Sequence, residues 1–223
     1  MRNQKTIVGE FYHLFNCSVS SEIIFRDEED YARFLFLITH VQSPVLFNHL
    51  KRPIPYFLKS GNFKTSEYAQ KTMAKNRYVE LVAFEIGSDH FHLVVKAVKE
   101  SGVPLFMQRV QNAYSKYFNT KYERRGHVFR GPYEYIIIAD NEQLTHLSAH
   151  LHALPRENKS FKGKEFEYQW SSFQDYSKNR WGAMLRHEYI SEKFKDEKEY
   201  KKFVLHPSLK KRKQVLGGAH MFT

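Results

Sequence analysis

Two histidines separated by one residue, His90 and His92 in Asp89-His90-Phe91-His92-Leu93-Val94-Val95, carry the most informative chemistry in this sequence. Side chains alternate faces along a strand, so both imidazoles project from one side, close enough to share a cation. Phe91, Leu93, Val95 and Ala97 fall on the other side as an apolar stripe, which fixes the register that presents the histidines. On ligand grounds an imidazole pair accepts zinc, manganese or iron. The rival reading is a half-solvated sheet face, which an isolated His-x-His marks more often than a metal site. A second group lies in EQLTHLSAHLHAL, where His146 and His150 share one helix face at i, i+4 and His152 follows. Chance clustering in a chain with 12 His competes with that reading. Elsewhere Arg109, Lys116 and Lys121 lead into Arg124, Arg125 and Arg130, with Tyr117, Tyr122, Phe129 and Tyr133 interleaved. Cations neutralise phosphates while rings stack on unpaired bases, the combination expected of a single-strand or hairpin-loop binder. A solvated basic helix face with core aromatics is the alternative.

The elements that must position these groups are read from the residue pattern. Residues 6–15 read as a strand, and Asp27 or an acidic neighbour caps a helix in EEDYARFLFLITHVQ. The stretch 43–76 reads as an insertion, with Pro44, Pro53 and Pro55 breaking regularity and KTSEYAQKTMAKNR forming a short basic helix. YVELVAFEI and HFHLVVKAV make a hairpin across Gly87, Ser88 and Asp89. PLFMQRVQNAYSKYFNTKY is apolar at helical spacing, VFRGPYEYIII reads as a strand pair or bent strand, and Asp140 or Asn141 caps EQLTHLSAHLHAL, which Pro155 stops. The order strand, helix, strand, strand, helix, strand, helix predicts an α+β chain: a ferredoxin-like antiparallel sheet with helices packed on one face. The expected organisation is a main domain over 1–176 and a basic helical extension over 177–223, closed by the run LKKRKQ.

The bulk composition agrees. With 42% hydrophobic and 16% aromatic residues the chain is not a disordered one, and a formal charge of +11 favours a polyanionic partner. No stretch approaches the ~20 apolar residues of a membrane span, and MRNQKTIVGE lacks a signal-peptide core, so the expectation is a cytoplasmic, nucleoid-associated protein without a membrane partner. The lone Cys17 forms no internal disulfide.

His-hydrophobe-His on the second strand of a hairpin resembles the HUH motif of single-tyrosine transposases, and particularly of repeat-associated tyrosine transposases. Other blocks match in order. FYHLFN followed by IIFRDEEDYARFL resembles the opening strand and helix, YVELVAFEIGSDHFHLVV the hairpin, in which Asn usually stands where Asp89 is here. FMQRVQNAYSKYFNTKYERRGHVFRGPY resembles the long helix and the turn after it, and YQWSSFQDY the closing Trp-Ser-Ser segment, so the likeness runs from about residue 6 to 176. The resemblance implies a divalent ion, usually Mg or Mn, held by His90, His92 and a third polar ligand against a scissile phosphate of single-stranded or hairpin DNA. It also implies attack by a tyrosine hydroxyl, a phosphotyrosine link to the 5′ end, rejoining without a nucleotide cofactor, and a homodimer.

The sequence departs from the family at the nucleophile. Where relatives read Tyr-Ile-His-x-Asn-Pro, this chain has His150-Leu151-His152-Ala153-Leu154-Pro155, so His150 occupies the tyrosine position and Leu154 that of the polar metal neighbour. Whether it is an enzyme is therefore open among three accounts: a catalytically silent DNA-binding protein; cleavage through another tyrosine, Tyr114, Tyr117, Tyr133 or Tyr135; and a metal-hydrolase site rebuilt from His146, His150 and His152 with His90 and His92. RNA binding through the same basic surface is a further alternative.

Overall fold

The computed structural model describes residues 6–44 and 53–205. In FYHLFNC, alternation puts Tyr12 and Leu14 on one face and Phe11, His13 and Phe15 on the other, and this segment forms the central strand β1, Phe11–Cys17. It starts later than residue 6. Asp27 caps α1, Glu28–His40, by accepting from the Asp30 N–H at 3.0 Å. The 43–76 stretch supplies α2, Pro53–Ser60, and α3, Glu67–Lys75. Pro53 and Pro55, expected to interrupt structure, instead open α2, whose first-turn N–H groups need no intrahelical acceptor. Then come β2, Val79–Ile86; β3, His90–Ala97; α4, Gly102–Lys121; β4, Glu134–Ile138; and α5, Asn141–Ala153. The residues expected to add a second strand before β4 make only a single bridge, Ser18 to Phe129.

The strands lie in the order β2-β3-β1-β4, every pair antiparallel. With α1 joining β1 to β2 and α4 joining β3 to β4, this is the ferredoxin-like topology. On one face α1 and α4 bury Phe34, Phe106, Val110 and Tyr114 against Leu14, Phe91, Leu93 and Val95. The expectation of helices on one face needs correcting. Leu144, Leu147 and Leu151 of α5 form an apolar stripe that must be buried, and it packs on Val82, Ala83 and Val94 of the opposite face. The later helices α6, Asp175–Lys178, α7, Glu188–Ser191, and α8, Glu197–Leu205, add Tyr176, Ile190, Tyr200 and Val204 to that second core. The LKKRKQ run lies outside the described residues. No described helix is long and apolar enough to cross a membrane.

A bulge in β2 sets which residues reach the α5 face. Pairing of β2 with β3 steps from Leu81↔Val95 to Ala83↔Val94, leaving Val82 as an extra residue. Before this bulge Val79 and Leu81 face α1 and α4; after it Phe84 and Ile86 do. Glu85 is thereby turned to the α5 face, directly opposite His92.

Candidate metal centre

His90 and His92 share the α5 face of β3, as their spacing predicts, and Glu85 joins them from β2. One ligand atom from each of Glu85, His90 and His92 lies within 4.8 Å of the other two. The His90 ring lies over Gly87, where a Cβ would overlap the imidazole. Its Nδ1 is 2.7 Å from Asp89 Oδ1 and its Nε2 is 3.8 Å from Glu85 Oε2. A carboxylate only accepts, so Nδ1 donates to Asp89, and Nε2 is the ring nitrogen turned to the cluster. His92 has the same arrangement one layer deeper: Nδ1 is 3.1 Å from His13 Nε2 on β1, while its Nε2 is buried without a partner. Glu85 Oε2 is likewise buried and has no hydrogen-bond partner.

Electrostatics match this geometry. Burial pushes the Glu85 carboxyl up to about 8, with the Glu157 and Asp89 charges adding to the shift. Burial also lowers His13 to about 3, helped by His150, and holds His92 well below its ordinary value, helped by His13, His90 and His150. Two orphaned ligand atoms in a dry site are costly unless something positive sits between them, so the residues present fit a bound cation.

His150 acts electrostatically on both His13 and His92, so α5 carries it within electrostatic range of the cluster. The other two α5 histidines do not join it. His152, two residues on and so around the helix, is fully occupied: Nδ1 is 2.7 Å from the Tyr200 hydroxyl and Nε2 is 2.7 Å from Ser172 Oγ. His146 packs on the Phe203 ring, centroids 5.1 Å apart. Among the described residues the group of possible ligands is Glu85, His90 and His92, so the shared site expected of His146 and His150 is not assembled. The carboxylate comes from a strand, not from the helix position of Leu154.

The alternative tyrosines lie across the sheet. Tyr114 donates to the Ile24 carbonyl at 2.6 Å and Tyr117 to Asp30 Oδ1 at 2.8 Å. Tyr133 packs on the α1/α4 core and Tyr135 against the Tyr12 ring. Several of the basic residues singled out in the sequence are engaged within the protein. Arg109 donates to the Ser43 carbonyl, Lys121 bonds Asp27 and Asp30 at 2.8 Å, and Arg124 pairs with Glu22 at 2.9 Å. Lys116, Arg125 and Arg130 are exposed. Of these three, Arg130 is tied to the histidine end of the sheet: its N–H donates to the carbonyl of Cys17, which stands opposite His90.

Sequence reading missed Glu85 and His13. A signal for Glu85 was present: Glu80 and Glu85 are five apart in a strand with core residues around both, an odd spacing that demands a bulge if both point away from one core. His13 shows its role only once β1 is paired with β3.

Comparison with known families bears on this geometry. Residues 56–153, which include both histidines, Glu85 and α5, match the family of IS200-like transposases. Among solved structures the chain is similar to a REP-associated tyrosine transposase bound to a REP hairpin, with 11% identity over 82% of this chain and 88% of that one and a TM-score of 0.48. No curated protein matches the sequence.

Proposed function

We propose that this chain is a divalent-metal-dependent binder of structured single-stranded DNA, a transposase-family domain that engages a hairpin or its flanking strand without forming the family's covalent tyrosine link. The observation that carries the reading is the pair of buried ligand atoms without hydrogen-bond partners, Glu85 Oε2 and His92 Nε2, converging with His90 in a segment that matches the IS200-like transposases. Glu85, His90 and His92 would hold the ion, Mg or Mn by resemblance, and its charge would neutralise a non-bridging phosphate oxygen. Asp89 and His13 orient the two imidazoles from behind. Exposed Arg130 at the same end supplies a phosphate contact, with Lys116 and Arg125 as outlying ones. None of Tyr114, Tyr117, Tyr133 and Tyr135 faces the cluster, which supports a non-covalent role. A homodimer, also by resemblance, would have the outer edge of β4 available for pairing, where Tyr135 and Ile137 are exposed.

A second reading is favoured by one observation, the electrostatic effect of His150 on both His13 and His92. An imidazole there suits proton abstraction from water, giving hydrolytic nicking with no adduct. Labelled hairpin DNA with Mn on a denaturing gel separates the readings. Binding without cutting, with cleavage and a covalent band appearing in His150→Tyr, supports the binder; cutting by wild type that His90→Ala abolishes supports the hydrolase. Absence of hairpin binding by wild type, with or without Mn, overturns both.

A further inference from the structure

Against the β2 edge of the sheet lies a cleft of about 580 Å³ that neither the candidate metal ligands nor the basic helix lines. Its aromatic walls are Phe161, Tyr168 and Trp170, and its polar lining includes the side-chain amides of Asn62, Gln169 and Gln174. The cleft is continuous with the strand that carries Glu85. Ile86 N–H donates to the Trp170 carbonyl at 3.1 Å, the Tyr168 hydroxyl donates to the Ile86 carbonyl at 2.6 Å, and Ser171 bridges Glu85.

Its charges are mixed. Glu28 and Glu167 line it together with Lys178, whose ammonium donates to Gln174 Oε1 at 3.4 Å, and the Arg180 guanidinium there is already held by Asp175, with Nε at 2.6 Å and Nη2 at 3.0 Å. Carboxylates repel a phosphate and accept from amino and ring N–H groups. Trp170 is held rigid by stacking on Tyr31, centroids 4.9 Å apart, while Phe161 and Tyr168 meet edge to face, also at 4.9 Å. Neither the Asn62 nor the Gln169 side-chain amide has a hydrogen-bond partner among the described residues, so each retains both a donor and an acceptor to offer. Planar aromatic walls, free amides and carboxylate acceptors together match an unpaired nucleobase read along its hydrogen-bonding edge.

We propose that this cleft receives one unpaired nucleobase of the same strand whose phosphate lies at Glu85, His90 and His92, and that it prefers a base bearing an exocyclic amino group over thymine. This rests on the DNA-binding reading and adds sequence preference to it, at a site away from the basic helix.

The test uses the full chain and a DNA hairpin carrying a single-stranded tail, with each tail position replaced in turn by an abasic residue or by thymine. Fluorescence anisotropy is read for wild type and for an Asn62→Ala/Gln169→Ala double variant. The inference expects one tail position at which the abasic change weakens wild-type binding about tenfold, with thymine also weak, and at which the double variant no longer discriminates. Equal losses in wild type and variant at every position would overturn it while leaving hairpin binding intact. Failure of wild type to bind the unmodified hairpin would overturn the DNA reading and this inference together.

Discussion

The two faces of the sheet are built from the same strands and do opposite work. On β3, Phe91, Leu93 and Val95 lie in the continuous apolar core under α1 and α4, while His90 and His92 on the other face stand among groups that lack partners. Even the second face is divided: in its middle Val82, Val94 and the leucines of α5 make an ordinary core, at its far end Glu80 is satisfied by Arg186 and Tyr189, and at the end near Gly87 the ligand atoms of Glu85 and His92 lack hydrogen-bond partners. One face holds the fold, and the unsatisfied end of the other brings together three side chains that could hold a cation.

The largest effect should break the fold from the apolar side. Phe91→Ala is expected to cost about 3–5 kcal/mol in urea unfolding, whereas Glu85→Gln, on the neighbouring strand but the opposite face, should leave metal-free stability unchanged or raised. A comparable loss in both would erase the distinction between the faces.

Acid sharpens a different contrast. His40 and His152 are structural histidines on opposite sides of the sheet, each pushed by burial to about 3 from an ordinary 6.5. Between those values the unfolded chain takes up protons that the folded chain refuses. Stability should therefore fall as pH drops from 6.5 towards 3, by up to about 1.4 kcal/mol per pH unit for each histidine. Unfolding midpoints at successive pH values check this, and His40→Gln should flatten the slope; an unchanged slope would remove His40 from the account.

Smaller still is the expected effect of His13, which touches the metal centre only through His92. His13→Phe should weaken Mn binding about 10- to 100-fold, with His13→Gln restoring part of it by offering Nδ1 a new partner. Equal losses in both variants would mark His13 as packing alone. At the outer rim, Arg130→Ala should weaken hairpin binding and lower the salt dependence by about one phosphate contact, while Arg124→Ala, already paired with Glu22, should do less to that slope.

Much of this was legible in the residues. The alternation of Phe91, Leu93 and Val95 with His90 and His92 fixed which side of β3 would carry chemistry, and Gly87-Ser88-Asp89 marked the turn. The order of strands and helices led to the ferredoxin-like sheet because short connections leave few other solutions. Glu85 was hidden because a period of two, carried past Val82, sends it into the core; only the bulge reverses that. His13 looked like an isolated polar residue in FYHLFN, since its partner is 79 positions away. The tyrosines on α4 and near β4 were candidates until the sheet separated them from His90. His152 belonged to the motif by spacing, but Tyr200 and Ser172 claim both its nitrogens.

The central claim is that the Gly87 end of the α5 face is a metal centre placed to hold DNA. Hairpin affinity measured by anisotropy with and without Mn, for wild type and Glu85→Gln, tests it most directly. The account predicts that Mn tightens binding by wild type at least tenfold and does nothing for Glu85→Gln, whose metal-free affinity matches that of wild type. Equal Mn dependence in both proteins, or none in wild type, would contradict it.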